Sequence, residues 1–202
     1  MLPTLSTYLV REHVGILKLR DVYDIFDPGT GQQIAVAQEK KSTLTALMGF
    51  FINKRMLPTR IDVHEGKDVN GPIAFSITRG MSFIRPKVNV VAGDGSHVGH
   101  FQTRLLTIGG KFGVYDAGGH EVAMVKGNWM SWNFTFTTST GQELGVVSRQ
   151  WGGIAKELFT SADNYVINVK EPNPATCILL LAAGLAIDTV YKEDSGGGGL
   201  DI

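Results

Sequence analysis

The chain has 202 residues, 43% of them hydrophobic and 19% charged, and its 19 basic and 19 acidic side chains cancel to zero net charge. This length and composition suit one folded domain with its own core and exclude a disordered chain, while the neutral balance gives no support to a nucleic-acid binder. The single Cys177 excludes an internal disulfide and any multi-cysteine zinc site, and it suits a reducing compartment. The opening MLPTLSTYLVREH has no basic region ahead of an apolar stretch, so no secretory signal is expected.

The first stretch with strand character is GILKL, Gly15 to Leu19. From Tyr23 to Ala37, YDIFDPGTGQQIAVA sets alternating apolar residues before a polar turn and then continues as Gly-x-x-(Ile/Val/Leu)-(Ala/Gly). Alternation on both sides of a glycine-containing turn predicts a β-hairpin. A helix is predicted over STLTALMGFFIN, where Leu44, Leu47, Met48 and Phe51 fall at i, i+3, i+4 and i+7 behind Ser42 as N-cap. A degenerate hairpin runs from Ile61 to Ile77, with Asn70-Gly71 supplying the turn. The full pattern returns at Val88 to Phe101, Phe112 to Val125 and Phe134 to Val147, anchored like the first copy (Gly31) on a glycine: Gly95, Gly119 and Gly141. A short helix is predicted over Gly152 to Phe159 and a strand over NYVINV, Asn164 to Val169.

The last element is a helix from Pro174 to Tyr191, with Asn173 as N-cap and Pro174 in the first helical position. Its apolar run from Ala175 to Ile187 covers every face, so protein or lipid must enclose it. Thirteen helical residues reach about 20 Å, short of the roughly 30 Å hydrocarbon layer, which favours enclosure by protein. The ending SGGGGLDI, from Ser195, reads as a flexible tail behind a single domain over residues 1–194.

Five hairpins plus the strands at 15–19 and 164–169 give about twelve strands, more than an open twisted sheet carries comfortably. Closure into a barrel removes the edges. A lumen that wide needs filling, and the apolar helix is the natural plug. The expected fold is mainly β: a closed twelve-stranded antiparallel barrel around a central hydrophobic C-terminal helix.

The run Gln150 to Val169, QWGGIAKELFTSADNYVINV, followed by an apolar helix ending in AIDTVYKE, resembles the C-terminal half of phospholipid scramblases, and YDIFDPGTGQQIAVAQE resembles their first hairpin. This resemblance covers nearly the whole chain. It implies the tubby-like barrel shared with LURP-one-related and tubby C-terminal domains, twelve strands around a C-terminal helix. It also implies contact with membrane lipid. Animal scramblases carry a cysteine cluster for palmitoylation after the first hairpin; the corresponding STLTALMGFFINKRML has no cysteine, which excludes an acyl anchor there.

Charge is unevenly placed. Lys40, Lys41, Lys54, Arg55 and Arg60 lie in a window without an acid, and Arg79, Arg85 and Lys87 form a second such cluster. Anionic headgroups attract basic residues at about 1 kcal/mol each near the surface, and tubby domains bind phosphoinositides through basic residues near comparable loops. These eight residues are the expected lipid-binding set, against the plainer reading of a solvated face. The resemblance further implies a calcium loop starting at Ser161. Its ligand positions fall on Ser161, Asp163, Tyr165 and Pro172, with Glu171 near the end, and a full loop needs six to eight oxygen donors. Because Tyr165, Ile167 and Val169 alternate as in a strand, the residues read first as an Asp-Asn turn, and calcium at Ser161, Asp163 and Glu171 second.

The remaining signals are plainer. GDGSHVG lies in a hairpin and does not open a helix, so it is no dinucleotide loop. His97 and His100, three apart on a strand, are expected on opposite faces. Trp129, Trp132 and Trp151 are expected in the core, as is Cys177. Asp188 is expected to pair with a basic side chain or to cap backbone groups at the barrel mouth. No catalytic constellation, cofactor, small-molecule substrate or nucleic-acid partner is assigned. The expectation is a cytoplasmic, non-enzymatic, scramblase-related protein that binds anionic phospholipids at the inner membrane face and takes part in transbilayer phospholipid movement. The alternative is a scaffold module of the same fold without lipid activity.

Overall fold

The computed structural model describes residues 2–13, 21–40, 58–80, 87–103, 112–128, 131–149 and 164–195. The expected strand at 15–19, the expected helices at 42–53 and 152–159, Trp129, Trp151 and the tail after Ser195 lie outside them. Twelve strands form one closed antiparallel barrel in which every strand pairs with its sequence neighbours and the last pairs with the first. They are β1 (Thr7–Glu12), β2 (Val22–Phe26), β3 (Gln33–Glu39), β4 (Thr59–Glu65), β5 (Ile73–Arg79) and β6 (Lys87–Ala92), followed by β7 (His97–Thr103), β8 (Phe112–Asp116), β9 (Glu121–Asn128), β10 (Asn133–Thr137), β11 (Glu143–Ser148) and β12 (Asn164–Val169). The helix α1 (Pro174–Ser195) follows. The barrel and its C-terminal helix are those expected. The first strand is not: it is TYLVRE, upstream of Gly15, and it closes the barrel by pairing Tyr8 with Ile167 and Val10 with Tyr165.

Alternation along each strand sends one row of side chains into the lumen. Tyr8, Val10, Ile25, Val63, Phe136 and Ile167 form part of that row and share one core with Leu181 and Leu185 of α1, all fully buried. Asn173 caps the helix, its Oδ1 accepting the Thr176 N–H at 2.9 Å.

The repeated turn motif has a structural explanation at each position. Gly31, Gly95, Gly119 and Gly141 hold φ between 71° and 87°, a region costly for any residue with a Cβ. In the degenerate hairpin this conformation belongs to Gly66 (φ 74°); Asn70-Gly71 closes a separate turn, Gly71 N–H to Asp68 C=O at 2.9 Å. Every hairpin then carries a β-bulge at one place, where the register skips Ile34, Ala74, Val98, Val122 or Leu144. These five are partly buried against the core. A bulge bends its strand and increases local twist, so five of them curve the sheet toward closure.

The next residue, Ala35, Phe75, Gly99, Ala123 or Gly145, faces the lumen. Glycine occupies this position on β7 and β11, two of the strands against which α1 lies. A Cβ on Gly99 would overlap the Tyr115 carbonyl of β8 and meet Leu179 Cδ2 at 3.0 Å, and one on Gly145 would overlap the Asn168 carbonyl of β12 and Leu180 Cδ2. The small residue ending the motif therefore makes room for the neighbouring strand and the helix together. The degenerate hairpin departs from this with Phe75.

The bulge also corrects the histidine expectation. Val98 is the extra residue of β7, so the three-residue spacing leaves both imidazoles on the outer face. Their rings lie 6.1 Å apart, and His100 stacks on Tyr115 at 4.7 Å.

Candidate functional site

The barrel has two unlike ends. The hairpin turns and the start of α1 occupy one; the opposite ends of the strands, the connection end, and the C-terminal part of α1 occupy the other, about 20 Å away given strands of five to eight residues. Among the described residues, the exposed acids Asp68, Asp94, Glu121 and Glu171 lie at the hairpin end, while Asp21 and Glu39 are half-buried at the connection end. Lys40, Arg60, Lys87 and Lys126 are exposed toward the connection end, with Lys67 and Lys170 the exposed bases at the hairpin end. Zero net charge thus conceals a polarity along the barrel axis. With a screening length of about 8 Å at physiological salt, the two ends act independently on an approaching charged surface.

The expected basic residues are placed differently from one another. Lys40 is exposed just beyond β3 and donates to Gln38 Oε1 at 2.9 Å. Arg60 is half exposed but paired, Nε to Asp62 Oδ1 at 2.8 Å, on a carboxylate that also accepts from Ser76 Oγ at 2.7 Å. Its acid lies two residues past the acid-free window. Arg79 follows Phe75 and Ile77 in the lumen-facing row, is buried, and donates to Thr59 Oγ1 at 3.0 Å. Lys87 is exposed at the start of β6. Lys41, Lys54, Arg55 and Arg85 lie outside the described residues. The structure adds two residues to the basic end: Lys126, exposed on β9, and Arg149, just beyond β11.

Of the calcium set, Ser161 and Asp163 lie outside the described residues. Glu171 is exposed at the hairpin end, where it accepts from Gln142 Nε2 at 3.1 Å. Among the described residues, no group of three or more histidine, cysteine, aspartate or glutamate side chains is placed to hold a metal ion.

Within the connection end, the lumen becomes polar. Asp188 of α1 is 1% exposed and accepts hydrogen bonds from Tyr23 Oη of β2 at 2.9 Å and from an Arg149 terminal nitrogen at 3.1 Å. This is the basic partner expected for Asp188. The guanidinium also lies over the Trp132 ring, 4.5 Å from its centroid. Trp132 is buried at a left-handed φ of 48°, which strains a residue of its size. Its carbonyl accepts the Arg149 N–H at 3.2 Å, and its ring packs 4.8 Å from Tyr165. Burial first, and then the charge of Asp188, push the Tyr23 and Tyr165 phenols well above their ordinary range, so both stay protonated and Tyr23 serves as a donor. These bonds on Asp188 come from strands on either side of the β1–β12 pair, so one carboxylate ties the helix across the seam where the chain's first and last strands meet.

Among the described residues, no helix is long and apolar enough to cross a membrane. A family model described as Scramblase matches residues 20–194. No solved structure matches the chain.

Proposed function

The chain belongs to the Scramblase family, and from that membership we propose that it is a peripheral protein which binds anionic phospholipid surfaces through its connection end. The observation that carries this reading is the axial polarity: Lys40, Arg60, Lys87 and Lys126 project at one end while the exposed acids sit at the other. A negatively charged leaflet attracts the first end and repels the second. The surface engaged is the cytoplasmic face of the membrane. The central helix is enclosed by the barrel, so any part in transbilayer phospholipid movement is exerted from the surface, without this helix spanning the bilayer. No chemical step is ascribed to the protein.

Co-sedimentation with vesicles of phosphatidylserine and phosphatidylcholine, compared with phosphatidylcholine alone, tests the reading. The wild type should pellet with the anionic vesicles, and the Lys40→Gln, Lys87→Gln, Lys126→Gln triple variant should bind up to about 100-fold more weakly, at roughly 1 kcal/mol per basic residue removed. Equal pelleting of the two proteins would refute the assignment of this end and leave the scaffold reading standing.

A further inference from the structure

Arg149 belongs to two systems at once. Its side chain is 24% exposed at the basic end of the barrel, yet it grips a carboxylate of the central helix that is 1% exposed. Asp188 is the only acid or base in α1 before its last turns, and Arg149 is a basic partner that it holds. We propose that Asp188 competes with the phosphate of a lipid headgroup for the Arg149 guanidinium, so that lipid engagement at the barrel mouth and seating of the central helix oppose each other. The proposal rests on the lipid-binding reading above.

The geometry supports a guanidinium with two alternatives. Arginine presents a planar fork of donors that fits carboxylate and phosphate alike. The Trp132 face beneath it supplies a shelf on which a guanidinium can turn while keeping its cation–π contact. The shelf is built at the cost of a left-handed backbone at Trp132, held by the bond from the Arg149 amide to the Trp132 carbonyl. When phosphate takes the guanidinium, Asp188 retains the Tyr23 hydroxyl and loses a charged partner, which is unfavourable for a buried carboxylate. By reciprocity, the hold of Asp188 on Arg149 weakens phosphate binding by the same factor that phosphate weakens the hold. Asp188 is thus an internal restraint on an arginine of the lipid-facing end.

Asp188→Asn separates the alternatives, because it keeps the size of the side chain and an oxygen for Tyr23 while removing the charge. Titrated with phosphatidylserine-containing vesicles, this variant should bind about 10-fold more tightly than the wild type, within the usual span of coupling between sites. Arg149→Gln should bind more weakly, and adding Asp188→Asn to it should tighten binding less than the same change does in the wild type. The wild type should also show a vesicle-induced change in tryptophan emission that Trp132→Phe loses, a readout that decides the matter even if Asp188→Asn does not fold. Wild-type binding with unchanged or weaker binding by folded Asp188→Asn, or with no Trp132-dependent emission change, would overturn the restraint and leave the lipid-binding reading intact. No preference of the wild type for anionic over neutral vesicles would overturn both. Inorganic phosphate producing the full Trp132 change without vesicles would assign the site to free phosphate and overturn the membrane as its source.

Discussion

Gly145→Ala is the sharpest test of how the barrel accommodates its helix. An added Cβ would overlap two things: the Leu180 Cδ2 methyl of α1 and the backbone carbonyl of Asn168 on β12. The side chain can move, at about 0.5–1.5 kcal/mol for a displaced rotamer. The carbonyl cannot move alone, because the Gly145–Val169 and Val146–Asn168 pairs hold β11 and β12 together. Overpacking of this kind costs about 1–3 kcal/mol, and the gain from replacing a strand glycine offsets roughly 0.5–1 kcal/mol of it. The net expectation is a destabilisation of about 1–2 kcal/mol. For a chain of this size, each kcal/mol lowers Tm by roughly 2–4 °C, so thermal unfolding should shift down by about 2–8 °C. A double-mutant cycle with Leu180→Ala isolates the helix contribution: the glycine substitution should cost about 1 kcal/mol less once Leu180 is truncated. A Tm within about a degree of the wild type, or an additive cycle, would refute the idea that the small residue closing the turn motif is there to admit the helix.

Two further outcomes follow from local chemistry. Asn173→Ala removes the oxygen that accepts the Thr176 N–H and should cost about 1 kcal/mol, seen as a Tm drop of roughly 2–4 °C; no drop would mean the cap is not formed in solution. His100 is held below its ordinary value, first by burial and then by Lys87 and His97, with Asp116 acting the other way. Between that depressed value and the ordinary one near 6.5, the unfolded chain binds more protons than the folded one, so stability rises with pH. Stability should therefore fall as pH drops through this window, and His100→Phe, which keeps a ring against Tyr115, should flatten the dependence just below the ordinary histidine value of about 6.5. A His100→Phe variant with the wild-type slope would remove His100 as the source.

The hairpins and the plug helix were legible because each is marked locally, by glycine turns at fixed spacing and by a helix apolar on every face. The same motif held a signal that simple alternation misses: two neighbouring apolar residues, as in Val122-Ala123, interrupt the strand period and mark a bulge. That interruption puts His97 and His100 on one face. β1 escaped recognition because no glycine turn introduces it and its partners β2 and β12 define it only after the barrel closes. The candidate site was less legible than the fold. Counting charges along the chain grouped Arg60 and Arg79 with Lys40 and Lys87, yet Asp62 holds one arginine and the lumen buries the other. Conversely, Lys126 and Arg149 stand alone in sequence and join the basic end only through strand order.

The pairing of β1 with β12 has a bearing on how the protein is made. Nearest-neighbour hairpins can assemble as the chain emerges from the ribosome, but the seam joins residues 7–11 to residues 164–168. The segment that fills the lumen follows both. Until α1 is synthesised, an inner row including Phe75, Phe134 and Phe136 has nothing to pack against, and the first and last strands present unpaired edges. Such long-range closure slows folding and leaves the nascent barrel exposed to aggregation. The closed and filled barrel can therefore form only after α1 has been made, whatever the hairpins reach before then.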